Sequence, residues 1–347
     1  MPSQKPKIIV VMGPTASGKS GVAIQLAKKF GGEIISADSR QIYRGLDIGS
    51  GKVERDAINS QLVISAPHKG SSTPFMGVEL PSDKPEQIKL TRYNQKEVFI
   101  SEGIRHHLID VAKPQEDFNV SHFKKLAQKK IEEILQRQKV PIICGGTAFW
   151  IDTLTKNSNI PEVAPDEKLR ARLAKKSVAQ LFSQLKKLDP RRAKDIDKQN
   201  KVRLIRAIEI CKVLGKVPVR ETQNLERGAW NTKYEFLQIG IEVPREILNE
   251  KIQKRLDERF KEGMTQEVSK LHKKGVSWKW MERIGLEYRW ISLFLRQKIS
   301  ETEMHEKLYY AIIHYAKRQM TWLQRNPNII WCSDYKAIKK EVEKFLK

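Results

Sequence analysis

Residues 13–20, GPTASGKS, constrain the fold more than any other stretch, because they match the spacing G-x-x-x-x-G-K-[ST] in the surroundings that this pattern requires. A β-branched apolar run, KIIVVM at 7–12, comes before them, and GVAIQLAKKF at 21–30 carries apolar residues at helical spacing. Strand, glycine loop and helix in that order make a phosphate-binding loop. Its cradle is Gly13, Pro14, Thr15, Ala16, Ser17 and Gly18, where glycines let backbone N–H groups converge on anionic oxygens beside a helix N-terminus. Lys19 reaches a terminal phosphate and Ser20 is placed to ligate Mg²⁺. The loop alone leaves open whether the phosphates belong to ATP, GTP or another pyrophosphate compound.

The rest of the chain is organised around that loop. EIIS at 33–36 reads as a second strand, and it ends in the polar segment ADSRQIY at 37–43, at the edge where parallel α/β sheets bind ligands. Asp38 is there either a general base beside the loop or a turn-forming aspartate. Residues 53–105 have little helical period and read as a loop-rich insertion with a hairpin. HLIDV at 107–111 reads as a strand ending in a carboxylate, and a basic helix opens at 119–121, with Ser121 as its N-cap, and runs to about 137. VPIIC at 140–144 reads as a strand and leads into Gly145, Gly146 and Thr147, a second approach of backbone to a ligand. From 165 to 214 the pattern is helical, with breaks at 188–190 and 199–200. A strand at 236–243, helices at 245–261, 265–273, 282–296 and 300–325, a strand at 328–331 and a terminal helix from 335 complete the reading. The order predicts an α/β fold: a P-loop NTPase-like parallel sheet flanked by helices, with an inserted all-helical domain. The catalytic core is expected over 1–151 and 201–347 and the helical insertion over 152–200.

Charge is the compositional feature that bears on function. The net charge of +24 exceeds what solubility requires, and between 165 and 220 there are 17 basic against 6 acidic side chains, so the excess concentrates in the helical stretch. A polyanionic partner is implied. No apolar run approaches the length of a membrane span and no signal peptide is read at the N-terminus, so a cytoplasmic protein with no membrane contact is expected. Cys144, Cys211 and Cys332 are scattered and read as small buried hydrophobes. A GTPase is disfavoured because NKVR at 200–203 lacks the aspartate of a base-reading segment, and a motor ATPase because Asp110 is followed by Val111. Three classes stay open on these grounds. One is a small-molecule or nucleoside kinase, which leaves the basic excess unexplained. Another is a transferase that moves a group from a pyrophosphate donor to a nucleic acid. The third is a non-catalytic RNA-binding protein with a degenerate loop.

The motifs together resemble a known family. GPTASGKS, then Asp38-Ser39 with Ile42-Tyr43, GLDIG at 45–49, GGT at 145–147, RLIRAIE at 203–209 and AKRQMTWL at 316–323 resemble tRNA dimethylallyltransferases, also called tRNA isopentenyltransferases, in order and approximate spacing. The resemblance implies transfer of a dimethylallyl group from dimethylallyl diphosphate to N6 of the adenosine immediately 3′ of the anticodon. It also implies a monomer that grips the anticodon stem-loop of tRNA and uses Mg²⁺. Asp38, Thr15 and Lys19 are then the catalytic set, with Asp38 the base on N6, while the loop through Ser20 and Arg259 hold the donor pyrophosphate. Arg255 and Arg259 share a helix face and have surface ion pairs with Asp257 or Glu262 as their ordinary alternative. tRNA contacts are implied for Asp38, Ser39, Arg40, Gln41, Thr147, Arg172, Val202, Arg203, Leu204, Ile205, Arg206, Arg283, Gly285, Lys317, Arg318, Gln319, Trp322 and Gln324. Trp322 adds an aromatic beside basic groups, as RNA-loop recognition uses. Two departures stand out: Trp150 and Leu286 occupy positions where the family usually has tyrosine. Residues 53–105 are also longer than the family's usual link.

Overall fold

The computed structural model describes residues 5–57, 98–156, 158, 160–218 and 233–347. The chain divides into two compact units, one made of Met1–Ile151 with Thr232–Lys347, the other of Asp152–Asn231. The boundary falls inside the helix Ala148–Thr155.

The first unit is built on a seven-stranded sheet among the described residues. The strands are β1 (Lys7–Met12), β2 (Gly32–Ser36), β3 (Phe99–Ser101), β4 (Ile104–His107), β5 (Val140–Gly145), β6 (Glu235–Ile241) and β7 (Ile329–Cys332), in the order β3-β4-β2-β5-β1-β6-β7. All pairings are parallel except β3 with β4, an antiparallel pair at the edge. The continuous apolar character of β1, β2 and β5 fits their central places, where both faces of a parallel sheet are covered. Helix Lys19–Phe30 lays Ala23, Ile24, Leu26 and Ala27 onto that centre, and Ile338 and Val342 of the terminal helix Tyr335–Leu346 join the same cluster. The C-terminal ends of β1, β2 and β5 come together: the Ala37 N–H donates to the Cys144 carbonyl at 2.8 Å and Thr147 N–H to the Ala37 carbonyl at 3.2 Å. The phosphate loop, the Asp38 turn and the Gly145-Gly146 turn therefore share one edge. None of the described helices is long and apolar enough to cross a membrane.

Three sequence expectations change in this unit. The strand expected at 107–111 is β4, ending at His107, because Leu108 and Asp110 take positive φ and turn the chain out of the sheet. The helix Val120–Gln136 is capped by Asn119, not Ser121; the Asn119 side chain accepts from the N–H groups of Ser121 and His122. The single helix expected at 282–296 is two, Trp278–Ile284 and Leu286–Leu295, because Gly285 at φ 84 and ψ −171 interrupts the helical backbone. The hairpin expected within 53–105 corresponds to β3 and β4 at its end, and 58–97 lie outside the described residues. All three cysteines are buried and free.

The second unit packs helices Glu167–Ala174, Val178–Leu188, Pro190–Asp195 and Lys201–Leu214 around Leu169, Leu173, Leu181, Leu185, Leu204 and Ile208. The last helix belongs to it, so the helical insertion does not end at 200: Leu204, Ala207, Ile208 and Cys211 supply one wall of its core. Ser177 and Gln180 form a capping box at the second helix. Asp189 is 1 % exposed, caps the helix that begins at Pro190, and accepts further from Val217 N–H at 3.0 Å. Glu209, also 1 % exposed, accepts from Asp166 N–H at 2.8 Å, from Arg170 Nε and Nη2 at 2.9 and 3.0 Å, and from Arg206 Nη1. Burial alone would raise its carboxyl pKa; the bonds from Arg170, Asp166 and Arg206 outweigh this and hold it below the usual range.

Replacing Glu209 therefore removes the acceptor shared by Arg170, Arg206 and the Asp166 N–H. Glu209→Ala is expected to destabilise the unit by about 1–3 kcal/mol, the range for leaving buried hydrogen-bonding groups unpaired, since both guanidinium groups are a third exposed and keep other partners. Thermal unfolding of the full chain checks it; a change below about 1 kcal/mol would show the network to be dispensable.

Candidate active site

A cleft of about 270 Å³ opens where β1, β2 and β5 end. Thr15, Ala16, Gly18, Lys19, Ser20, Asp38, Arg40, Gln41, Arg259 and Gln319, ten of the residues singled out in the sequence, line it. Among the described residues, its Lys and Arg side chains are Lys19, Arg40, Lys251, Arg255 and Arg259, and Asp38 is the one carboxylate in its lining.

The loop is shaped for an anion. Gly18 takes φ 84, where left-handed backbone suits glycine, and Ala16 also takes positive φ. Lys19 Nζ donates to the Pro14 carbonyl at 3.1 Å, and burial lowers its pKa. The Ser17 hydroxyl is buried without a hydrogen-bond partner. Gly13, Pro14 and Ser17 are buried behind the lining as the frame of the turn. Ser20, in the first turn of its helix, faces the cleft next to Lys19. Among the described residues no cluster of three His, Cys, Asp or Glu side chains could hold a metal ion. A hydroxyl beside phosphate-binding groups fits Mg²⁺, which keeps waters and binds through phosphate oxygens rather than in an all-protein cage.

Asp38 forms a turn and also lines the cleft. Its Oδ1 accepts from Arg40 N–H at 2.9 Å and Gln41 N–H at 3.4 Å, an Asx turn that fixes the carboxylate at the end of β2, while Oδ2 takes part in neither bond. Ser39 N–H donates to Thr147 Oγ1 at 3.1 Å, which ties this turn to the Gly145-Gly146 segment. Tyr315 lines the cleft beside it, with the Arg40 guanidinium 5.6 Å from its ring centre. Burial first, and then the charge of Asp38, push the Tyr315 hydroxyl up to about 12, so it stays protonated at neutral pH.

The arginines arrive from the helix Arg245–Lys261, whose 251, 255 and 259 positions fall on one face. Arg255 Nη2 donates to Thr15 Oγ1 at 2.6 Å. Burial and then the neighbouring Arg259 lower the Arg255 pKa to about 9, which leaves it charged at neutral pH. Arg259 pairs with Glu287, not with Asp257 or Glu262. Its guanidinium lies against Gly51, where a Cβ would stand 1.8 Å from Arg259 Nη2. Gly51, at φ 66, is thus required twice, by its backbone and by its neighbour.

Gln319 is placed differently from the expectation of a tRNA contact. It is 6 % exposed, accepts from Thr15 N–H at 2.8 Å through Oε1 and donates to the Gly146 carbonyl at 2.8 Å through Nε2. It braces the phosphate loop against the end of β5, and a Cβ on Gly146 would stand 2.3 Å from its Nε2. On the same helix, Glu301–Leu323, Lys317 and Arg318 are exposed, Trp322 sits edge-on to Phe149 at 6.0 Å, and Gln324 follows exposed at the helix end. Arg283 is exposed and Gly285 is the helix break. In the second unit Arg172, Val202 and Arg203 are exposed, whereas Leu204 is enclosed in the core and Arg206 is turned to Glu209 and the Val163 carbonyl. Segment 202–206 therefore offers solvent Val202 and Arg203, with Ile205 packed at the edge of the core. Trp150 stacks on Phe123 at 4.6 Å as a core residue. Leu286 stands at φ 44 immediately after the break.

Sequence reasoning left out Tyr315, Lys251 and Arg255 as cleft residues, and Glu287 behind them. The i, i+4, i+8 spacing of 251, 255 and 259 was the signal for two of these.

Gly51→Ala is expected to displace Arg259 and weaken binding of inorganic pyrophosphate about tenfold, as loss of one charged contact does. Calorimetric titration measures this; unchanged affinity would separate Arg259 from the anion site.

The chain is similar to known proteins along most of its length. Residues 91–326 match the model of the IPP transferase family and residues 6–64 that of the isopentenyl transferase family. The chain is 37 % identical over 325 residues to tRNA dimethylallyltransferase 2 of Treponema denticola, covering 93 % of both chains. It is 34 % identical over 342 residues to tRNA dimethylallyltransferase 1 of Syntrophus aciditrophicus, covering 97 % of both. The crystal structure of a tRNA isopentenylpyrophosphate transferase from Staphylococcus epidermidis superposes with a TM-score of 0.61 at 31 % identity and 99 % coverage of each chain. The phosphate loop, the Asp38 turn and the KRQ helix are thus carried by a chain that belongs to the IPP transferase family.

Proposed function

We propose that this enzyme transfers a dimethylallyl group from dimethylallyl diphosphate to N6 of the adenosine immediately 3′ of the anticodon in tRNA. The observation that carries this reading is the composition of the cleft: among the described residues, five cations around a single carboxylate. Such a site suits a pyrophosphate that departs as an anion and a nucleophile that must lose one proton.

In this reading Lys19, Arg255 and Arg259 hold the pyrophosphate oxygens with the loop's N–H groups, and the Arg255–Thr15 contact aligns that end. Ser20 would hold Mg²⁺ together with the donor's phosphate oxygens, and the ion would supply neutralisation of leaving-group charge. The adenosine N6 attacks the allylic carbon, the carbon–oxygen bond to the pyrophosphate breaks, and Asp38 accepts the N6 proton. The Asx turn holds Asp38 through Oδ1, so its rotamer is fixed before the nucleotide arrives. The adenine must leave its stack to reach an enclosed carboxylate, and base flipping supplies that. Lys317, Arg318 and Trp322 of the first unit and the basic helical unit supply RNA contacts.

Incubation of the protein with dimethylallyl diphosphate, Mg²⁺ and tRNA, followed by nucleoside analysis, is expected to yield prenylated adenosine. Transfer of the terminal phosphate of ATP without prenylation would assign a kinase instead. Asp38→Asn keeps an oxygen for the Arg40 N–H but removes the base; turnover is expected to fall about 10²- to 10⁴-fold with tRNA affinity nearly unchanged. Turnover within a few-fold of the unaltered enzyme would take Asp38 out of the mechanism. The affinity for tRNA is expected to fall linearly with salt on logarithmic axes, each phosphate contact adding about 0.7–0.9 to the slope; a flat line would assign the basic excess elsewhere.

A further inference from the structure

Glu287 sits behind the cleft, not in its lining. Its side chain is 2 % exposed; Oε2 accepts from Arg40 Nη1 at 2.6 Å and Oε1 from Arg259 Nη1 at 3.4 Å. One carboxylate is thus shared by two arginines from different parts of the chain, one in the loop after β2 and the other on the helix Arg245–Lys261. Its own place is rigid. Gly285 and Leu286 start the helix Leu286–Leu295 from positive φ, and the adjacent Tyr288 hydroxyl donates to Glu267 Oε1 at 2.9 Å. Glu267 in turn accepts the N–H groups of Asp47, Ile48 and Gly49, the turn that leads to Gly51.

A cleft with five cations binds pyrophosphate whether it is attached to the donor or already released. Tight binding of both states slows the cycle without assisting the chemistry, because only interactions stronger in the transition state accelerate it. A buried anion behind two of the cations weakens their hold on any ligand anion while keeping their positions.

We propose that Glu287 is a positioning residue that fixes Arg40 and Arg259 and, by offsetting their charge, lowers the cleft's affinity for released pyrophosphate so that the leaving group departs. This rests on the reading of the cleft as a pyrophosphate site. It differs in sign from a purely structural role: loss of a simple brace would splay the arginines and weaken pyrophosphate binding, whereas loss of an offsetting charge strengthens it.

The test is calorimetric titration of Mg²⁺ and inorganic pyrophosphate into the unaltered protein, Glu287→Gln and Glu287→Asp, together with single-turnover and steady-state prenylation. Glu287→Gln is expected to bind pyrophosphate about tenfold tighter and to slow in steady-state turnover, with its single-turnover rate nearly unchanged. Glu287→Asp keeps the charge, and its pyrophosphate affinity is expected within about twofold of the unaltered protein. Equal or weaker binding by Glu287→Gln, or tightening by Glu287→Asp as well, overturns the proposal. Should Glu287→Gln not fold, Glu287→Asp decides alone, and a loss of affinity beyond twofold overturns it. If the unaltered protein does not bind pyrophosphate at all, the pyrophosphate reading of the cleft fails instead.

Discussion

Repulsion among like charges is the constraint the first unit is built to manage. Lys19, Arg40, Lys251, Arg255 and Arg259 border one cleft, and Arg40 and Arg259 are more than nine-tenths buried. Burial penalises each of these charges, and their mutual repulsion adds to it. The structure answers with local compensation. Lys19 is turned to a backbone carbonyl, Arg255 to a neutral hydroxyl, and Arg40 and Arg259 to the shared carboxylate of Glu287. For Arg40, burial works against the charge, but Glu287 and Asp38 outweigh it and raise its pKa. Arg255 is bonded to a hydroxyl instead of a carboxylate, and burial with the neighbouring Arg259 pulls its pKa down to about 9.

Glycines make that crowding geometrically possible. Gly51 lets the Arg259 guanidinium lie against the backbone, and Gly146 admits the Gln319 amide. Each is a position where the residue type is dictated by a neighbour distant in sequence. DIG-x-G and GGT therefore record the shape of the arginines and the glutamine as much as that of the ligand. The helical unit solves its own charge problem separately, gathering Arg170 and Arg206 onto Glu209 while leaving Arg172 and Arg203 exposed.

What was legible in the sequence was local. The phosphate loop, the helix that follows it, β5 and the turn after it are each written in one short stretch, and the structure places them at one edge. The helix over 245–261 could be read to the residue, because apolar positions 248, 252 and 256 keep a single period. The errors arose where a side chain or backbone angle overrides pattern. Asn119, two residues before the expected cap Ser121, takes the cap because its oxygen reaches two N–H groups. Positive φ at Leu108 and Asp110 ends a run that composition alone extends. Gly285 divides a stretch whose apolar period continues across it. The site residues missed share another cause. Tyr315 and Glu287 have ordinary surroundings in sequence and acquire a role only through contacts across long separations, such as Glu287 with Arg40, 247 positions away. Gln319 was legible as part of a motif, but its bonds to Thr15 and the Gly146 carbonyl were not, since the exposure of Lys317 and Arg318 does not extend to the residue on the opposite side of the helix.

That opposite-sided arrangement has a mechanical meaning. The helix Glu301–Leu323 carries exposed Lys317 and Arg318 on one side, and on the other Gln319, which holds Thr15 N–H and the Gly146 carbonyl. Thr15 is also the residue gripped by Arg255. An RNA strand bound by the outer side of this helix would thus bear on the same short element that fixes the phosphate loop, and the pull would act on a backbone N–H rather than on a mobile side chain. Tyr315, one turn earlier, places the same helix beside Asp38 and Arg40. Under the proposed reaction, acceptor contacts and the leaving-group cradle would meet on this one helix, whose Gln319 holds Thr15 N–H and the Gly146 carbonyl by hydrogen bonds of 2.8 Å. A reaction that must place an amine, an allylic carbon and a departing anion in line needs this sharing, because independent supports would let any two of the three drift by more than the reaction tolerates.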